Sequence, residues 1–252
     1  MSERVQGLPA VWADRLQKRF VVSSWIPGRR PKTTIAALRG ATFTVTHGTI
    51  HGVMGPNGSG KTTLLRVLAT LVIADAGQAT VGGYDVGREA GRVRSLIGLS
   101  TGEERSLYWR LTARQNLEFA AALHRLPRPG AAIARALALV RLEQDADRPV
   151  SGFSQGMSRR LSLARAILHE PHVLLLDEPT RSLDPAARAE FQHVLQALSA
   201  EAEVTTLLTT HDVREAASVC TRVSVLSHGQ FVTHLSDANE RSLDAALRRL
   251  AP

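Results

Sequence analysis

The sequence predicts an α/β protein with a mostly parallel sheet, an N-terminal antiparallel β subdomain and an inserted helical subdomain. Three observations predict it. Short apolar runs at 50–54, 173–176, 206–208 and 223–226 are separated by stretches of helical spacing. Strands alternating with helices make a parallel sheet covered on both faces. The N-terminal region alternates instead with period two, and a purely helical block interrupts the middle of the chain.

Taken in order, residues 16–53 are β-rich. Phe43 and Val45 alternate with Thr42, Thr44 and Thr46, and Gly48 marks a turn. Residues 23–31 hold Trp25 among Pro, Gly and Arg and read as a loop. Residues 50–54 form a buried strand. Residues 62–71 follow as a helix with Leu64, Leu65, Leu68 and Leu71 on one side. From 112 to 142, Leu117, Ala121 and Leu123, then Ile133, Leu137 and Val140, keep helical spacing, and Pro127-Arg128-Pro129-Gly130 divides the block in two. Residues 236–252 read as a short amphipathic helix. The expected division is a β subdomain over about 10–50, a core over 50–100 and 165–232, and a helical subdomain over about 103–164.

At 252 residues and 44% hydrophobic content, the chain can bury one large core with an attached subdomain. It has no run of 18 apolar residues, so no membrane-spanning helix is expected. Residues 1–7 lack the apolar centre of a secretory signal, and a single cysteine, Cys220, fits a reducing cytosol. Cys220 lies among Ala216, Ala217 and Val219 and reads as a small buried hydrophobe. The formal charge of +8 is carried by dispersed arginines rather than a block, and aromatics are only 4%. That argues for a solvated basic surface, or one facing anionic headgroups, and no nucleic-acid partner is expected.

The chemistry begins at Gly55-Pro56-Asn57-Gly58-Ser59-Gly60-Lys61-Thr62, which matches G-x-x-x-x-G-K-[ST] between a strand and a helix. Glycines let successive N–H groups point into one concave space, and the helix adds its positive end. Lys61 offers a charge to the β- and γ-phosphates, the Thr62 hydroxyl suits Mg²⁺, and Thr63 adjoins. The run 173–176 ends in Asp177 and Glu178 at the edge where such sheets bind ligands. Asp177 suits the metal through water, and Glu178 suits the attacking water. Together these motifs define a P-loop NTPase core.

Further pieces narrow the reading, and the sequence resembles the ATP-binding subunit of an ABC transporter over about 16–232. Phe153-Ser154-Gln155-Gly156-Met157 resembles the family's signature motif, at the start of a helix whose buried stripe is Leu161, Ala164 and Leu168. Ser182-Leu183-Asp184 resembles the loop that crosses the dimer interface, with Arg181 where many members carry a small residue or Asn. Thr209-Thr210-His211 resembles the switch histidine, and Phe20 the aromatic that stacks on adenine, with Trp25 as its rival and a core role as the alternative. The family's Gln at the mouth of the helical subdomain is missing. Gly102 or Glu103 stands there instead. The stretch 107–117 resembles ABC-2-type exporters, with Tyr108 and Trp109 as exposed aromatics for a membrane partner.

The resemblance implies ATP and Mg²⁺ as ligands, Glu178 and His211 as catalytic residues, and Thr62 and Asp177 at the metal. It also implies that Ser154, Gln155, Gly156 and Asp184 face the nucleotide of a second ABC ATPase subunit, in a homodimer. The implied partner is a separate integral-membrane permease, which holds the protein at the cytoplasmic face of the membrane. An importer ATPase, or a soluble ABC ATPase acting on ribosome or DNA, is the alternative.

Overall fold

The computed structural model describes residues 8–23, 32–101, 107–202 and 204–248. Two long strands come first, β1 (Val11–Ser23) and β2 (Lys32–Val45), then β3 (Ile50–Met54) and α1 (Lys61–Leu68). β4 (Ala76–Val81), β5 (Tyr84–Asp85), α2 (Ala90–Leu96) and β6 (Ile97–Thr101) follow, then α3 (Ala113–Leu123), α4 (Pro129–Leu139) and α5 (Gln155–Ile167). The chain continues through β7 (Val173–Asp177), α6 (Pro185–Ala202), β8 (Thr205–Thr210), α7 (Val213–Val219), β9 (Arg222–Ser227), β10 (Gln230–Leu235) and α8 (Glu240–Arg248).

The strands make two sheets. One is antiparallel, in the order β2-β1-β4-β5; the other runs β10-β9-β3-β8-β7-β6 and is parallel except for β10. β3 and β8 are buried along their whole length. Alternate residues of the parallel strands therefore feed two separate cores. Leu174, Leu176 and Leu208 pack with the helical subdomain, while Val173, Leu175 and Leu207 pack with α1 and the antiparallel sheet.

The expected class is the observed one, and differences lie at element ends. α1 starts at Lys61 and ends at Leu68. Thr70 takes a left-handed φ of 61°, so the helix cannot continue, and Leu71 is 59% exposed instead of joining the buried stripe. Pro129 and Gly130 open α4 instead of preceding it, because Pro at the first helical positions has no N–H to orphan. β4 and β5, placed with the core by the sequence, join the antiparallel sheet instead, β4 pairing with β1 and β5 with β4.

Two local devices aim the helical subdomain. Gly98 on β6 is needed because a Cβ there would lie 2.2 Å from Ala166 O of α5. Asn116 of α3 closes the preceding loop. It accepts from Tyr108 N at 2.8 Å and donates to Tyr108 O and Thr112 O at 3.0 and 2.9 Å. Held so, Tyr108 and Trp109 stand exposed, with Tyr108 edge-on to Phe119. Cys220 is buried as expected, and burial pushes its thiol pKa up. At the C-terminal end α8 begins at Glu240 rather than 236 and anchors through the buried Leu243.

Candidate functional site

The phosphate cradle leaves the end of β3. Gly55 is required by close approach, since a Cβ there would sit 2.1 Å from Leu226 O. Gly60 is required twice over: its φ is 109°, and a Cβ would lie 2.4 Å from Ala37 O. The next residue, Lys61, is buried. Its ammonium donates to Gly55 O at 2.8 Å and Pro56 O at 3.1 Å. Burial pushes the Lys61 pKa down, with Glu178 and Asp177 opposing. The Ser59 hydroxyl is buried with no hydrogen-bond partner, so the cradle holds an unsatisfied polar group. α1 then points its own unpaired N–H groups at the same place.

The acids arrive on β7. Thr209 of β8 donates from Oγ1 to Asp177 Oδ1 at 2.6 Å, and the same oxygen accepts Glu178 N–H at 3.1 Å. Glu178 itself holds a left-handed φ of 46°, a conformation that non-glycine residues adopt at a cost of about 1–3 kcal/mol. That turn swings its carboxylate out of the strand line. Oε1 meets His211 Nδ1 at 3.3 Å, and Oε2 meets Arg181 Nη1 at 3.1 Å. Glu178 and His211 are thus brought into contact from two different strands.

Of these groups His211 borders a small cavity, and Gly60, Lys61, Asp177, Glu178 and Arg181 line a larger neighbouring one of about 530 Å³, within the range of small-molecule sites. Asn57, Gly58, Gly60, Lys61, Thr62 and Thr63 form its floor, with Asp177, Glu178 and Arg181 on one side. On the opposite side the cross-strand pair Phe20 and Ile35 is exposed, and Lys18 Nζ lies 5.6 Å from the Phe20 ring centre. Phe20 is therefore a wall of the cavity and not a core residue. Its rival Trp25, and Gly102 and Glu103, lie outside the described residues; Thr101, just before them, lines the cavity. Sequence reasoning missed Arg66 and Thr209. Arg66 lies one helical turn past Thr62 on the helix that the cradle opens, a spacing that puts it on the same side.

Ser154, Gln155, Gly156 and Asp184 do not line this cavity. Ser154 caps α5, accepting Met157 N–H at 3.2 Å. Asp184 caps α6 by accepting the N–H groups of Ala186 and Ala187, each at 3.0 Å. Gly156 is buried between them, and a Cβ on it would lie 2.8 Å from Ala187 Cβ. Its small size therefore serves the packing of α5 on α6. Ser154, Gln155 and Asp184 remain exposed on a face apart from the cavity.

The donors also bear on a metal. Thr62 and Asp177 supply two hard oxygens beside the cradle, and no group of three or more His, Cys, Asp or Glu gathers among the described residues. A hydrated Mg²⁺ fits such a sparse oxygen set, because it keeps most of its waters and shares phosphate oxygens.

A glycine-lined cradle opening a helix, with two acids at the carboxyl ends of a parallel sheet, places the chain in the class of P-loop nucleotide-binding proteins. The sequence pattern of the ABC transporter family matches residues 38–181. The chain belongs to that family and carries its ATP-binding domain. It is 47% identical over 201 residues to the daunorubicin resistance ATP-binding protein DrrA3 of Streptomyces coeruleorubidus, covering 78% of this chain and 62% of that one. With the ABC transporter ATP-binding protein NatA of Bacillus subtilis (strain 168) it shares 34% over 203 residues, covering 80% and 82%. The chain spans 62% of the length of DrrA3 and 66% of that of DrrA2 from the same organism. Among solved structures, CbiO1 of Clostridium perfringens, part of the CbiONQ ABC transporter complex, matches with a TM-score of 0.79 at 24% identity, covering 94% of this chain and 91% of that one. The dimeric ABC protein MJ0796, in a post-hydrolysis state with ADP and Pi, matches at 0.75 and 22%, covering 89% and 97%. These two likenesses concern the fold.

Proposed function

We propose that this chain binds Mg·ATP in the cavity at the end of β3 and hydrolyses it, as the ATP-binding subunit of an exporter whose permease is a separate membrane protein. The observation that carries the reading is the convergence of Lys61, Thr62, Asp177 and Glu178, from two separate segments, on one cavity of about 530 Å³, with His211 of a third segment in contact with Glu178. On binding, Lys61 exchanges its two carbonyl partners for phosphate oxygens, and the free N–H groups of α1 face the same anion. The Phe20 ring offers a π-face to adenine. Thr62 and Asp177 would hold Mg²⁺, whose chemistry when bound is to offset phosphate charge.

Hydrolysis then needs a water aligned with the γ-phosphorus. Glu178 accepts its proton while the oxygen forms the new P–O bond; the bond to the β-phosphate oxygen breaks, leaving ADP and phosphate. His211, in contact with Glu178, orients the water and the γ-phosphate. Two copies pair head to tail, so that the exposed cap Ser154 of one faces the triphosphate of the other. Tyr108 and Trp109 offer the permease an apolar face, and that attachment puts the protein at the cytoplasmic side of the membrane. No helix of the described residues is long and apolar enough to cross a membrane. Export is supported by the printed roles of relatives, which include daunorubicin and linearmycin resistance and Nod factor export.

The test is Glu178→Gln. The variant is expected to bind ATP as the wild type does, to hydrolyse it at least about a hundredfold more slowly and to elute as a dimer with ATP. Near-normal turnover would rule out the role given to Glu178.

A further inference from the structure

Behind the Glu178–His211 pair lies a carboxylate that this chemistry leaves unused. Glu215, in the first turn of α7, is 2% exposed. Thr180 Oγ1 donates to its Oε1 at 2.6 Å, and Thr210 Oγ1 donates to its Oε2. Both threonines are buried. Thr180 stands two residues after Glu178 and Thr210 one before His211, so Glu215 joins the two segments that carry the acid and the histidine.

Glu215 is itself held. Asp212 caps α7, accepting from Arg214 N at 2.9 Å and Glu215 N at 3.3 Å, and donates its own N–H to Thr210 Oγ1 at 3.0 Å. Arg188 of α6 pairs with Asp212 at 2.6 Å. Beside this network is a cavity of about 80 Å³ whose wall includes His211 and Glu178, room into which the imidazole can turn if released. A buried carboxylate is a costly way to fill space, since an apolar residue of similar volume packs without desolvation cost. Its benefit here is geometric.

We propose that Glu215 is a positioning residue for hydrolysis: by holding Thr180 and Thr210 together it fixes His211 against Glu178, and it acts on the chemical step and not on nucleotide binding. This rests on the ATP-hydrolysing reading above.

The experiment compares wild type with Glu215→Ala, Glu215→Gln and Thr210→Val, alone and with His211→Ala, by steady-state hydrolysis and ATP titration. Glu215→Ala and Thr210→Val are expected to lower kcat about tenfold or more while KM and ATP Kd stay within about twofold. Glu215→Gln, whose amide accepts from one threonine and donates to the other, should restore most of kcat. With His211→Ala, adding Glu215→Ala should change nothing more, because both act through one group. Independently of turnover, the His211 imidazole NMR resonances should move in Glu215→Ala. The proposal is overturned by unchanged kcat and unmoved His211 resonances, or by an equal further loss in the His211→Ala background. Should Glu215→Ala not fold, Thr210→Val and Glu215→Gln decide by the same criteria. If the wild type hydrolyses no ATP while the His211 resonances still move in Glu215→Ala, the ATPase reading falls and the positioning of His211 by Glu215 stands.

Discussion

Arg181 Nη1 lies 3.1 Å from Glu178 Oε2, so the carboxylate read as the catalytic base is held from one side by an arginine three residues along and from the other by His211. The Arg181 side chain is 61% exposed, so the pair is screened by water and contributes about 1 kcal/mol or less. Arg181→Asn is therefore expected to leave the thermal midpoint nearly unchanged. Freeing one carboxylate oxygen for water should raise turnover per bound ATP by at most about fivefold, the factor that 1 kcal/mol allows. Steady-state ATPase assays on both proteins check this; a large fall in turnover contradicts it.

Lys61→Ala should abolish ATP binding at millimolar concentration. The lysine is the buried cation of the cradle floor, and its carbonyl partners offer phosphate nothing in its absence. Isothermal titration should show loss of at least about a hundredfold in affinity, as for a charge-assisted contact in a low-dielectric site.

Gly60→Ala should cost more than Gly58→Ala. Both positions have positive φ, but a methyl at Gly60 meets Ala37 O, whereas a methyl at Gly58 meets nothing within 4 Å. The Gly58 variant carries the backbone cost alone, about 1 kcal/mol. The Gly60 variant adds a steric clash with β2 and should lose both stability and nucleotide affinity. Chemical denaturation with and without ATP separates the two effects.

His51 predicts an acid-side loss of stability. It is buried on β3, its Nε2 is 2.8 Å from Ser224 Oγ, and that hydroxyl reaches His234 Nδ1 at 2.7 Å. Burial, and then the neighbouring His234 and Arg222, push the His51 pKa down from 6.5 to about 4. The unfolded chain thus binds a proton more readily than the folded one, and stability falls as pH falls. The contribution is complete above pH 6.5 and lost as pH drops through 4. It amounts to roughly 3 kcal/mol at about 1.4 kcal/mol per pH unit. Denaturant midpoints from pH 7 to 4 test it, and His51→Gln should flatten the dependence.

Much of this was legible in the sequence, for physical reasons that also mark its limits. Runs such as 173–176 declare themselves because a strand covered on both faces must be apolar there. The cradle declares itself because phosphate binding dictates residue types at fixed spacing. β4 did not: Gly77 and Gln78 break its pattern, and its partner β1 lies some sixty residues earlier, so its identity is a tertiary fact. Thr209 stands in the sequence only as part of the run before His211, yet its hydroxyl orients Asp177 and the Glu178 amide, a role that depends on β7 and β8 lying side by side. Gly156 carries a second demand that the sequence does not display: the methyl of Ala187 on α6 leaves no room for a side chain there.

That seat of Gly156 on Ala187 has a mechanical result. With less than a methyl's clearance between them, the first turns of α5 and α6 cannot slide apart without opening a void. The serine at the head of one helix and the aspartate at the head of the other must therefore tilt in step, as two teeth cut on the same gear.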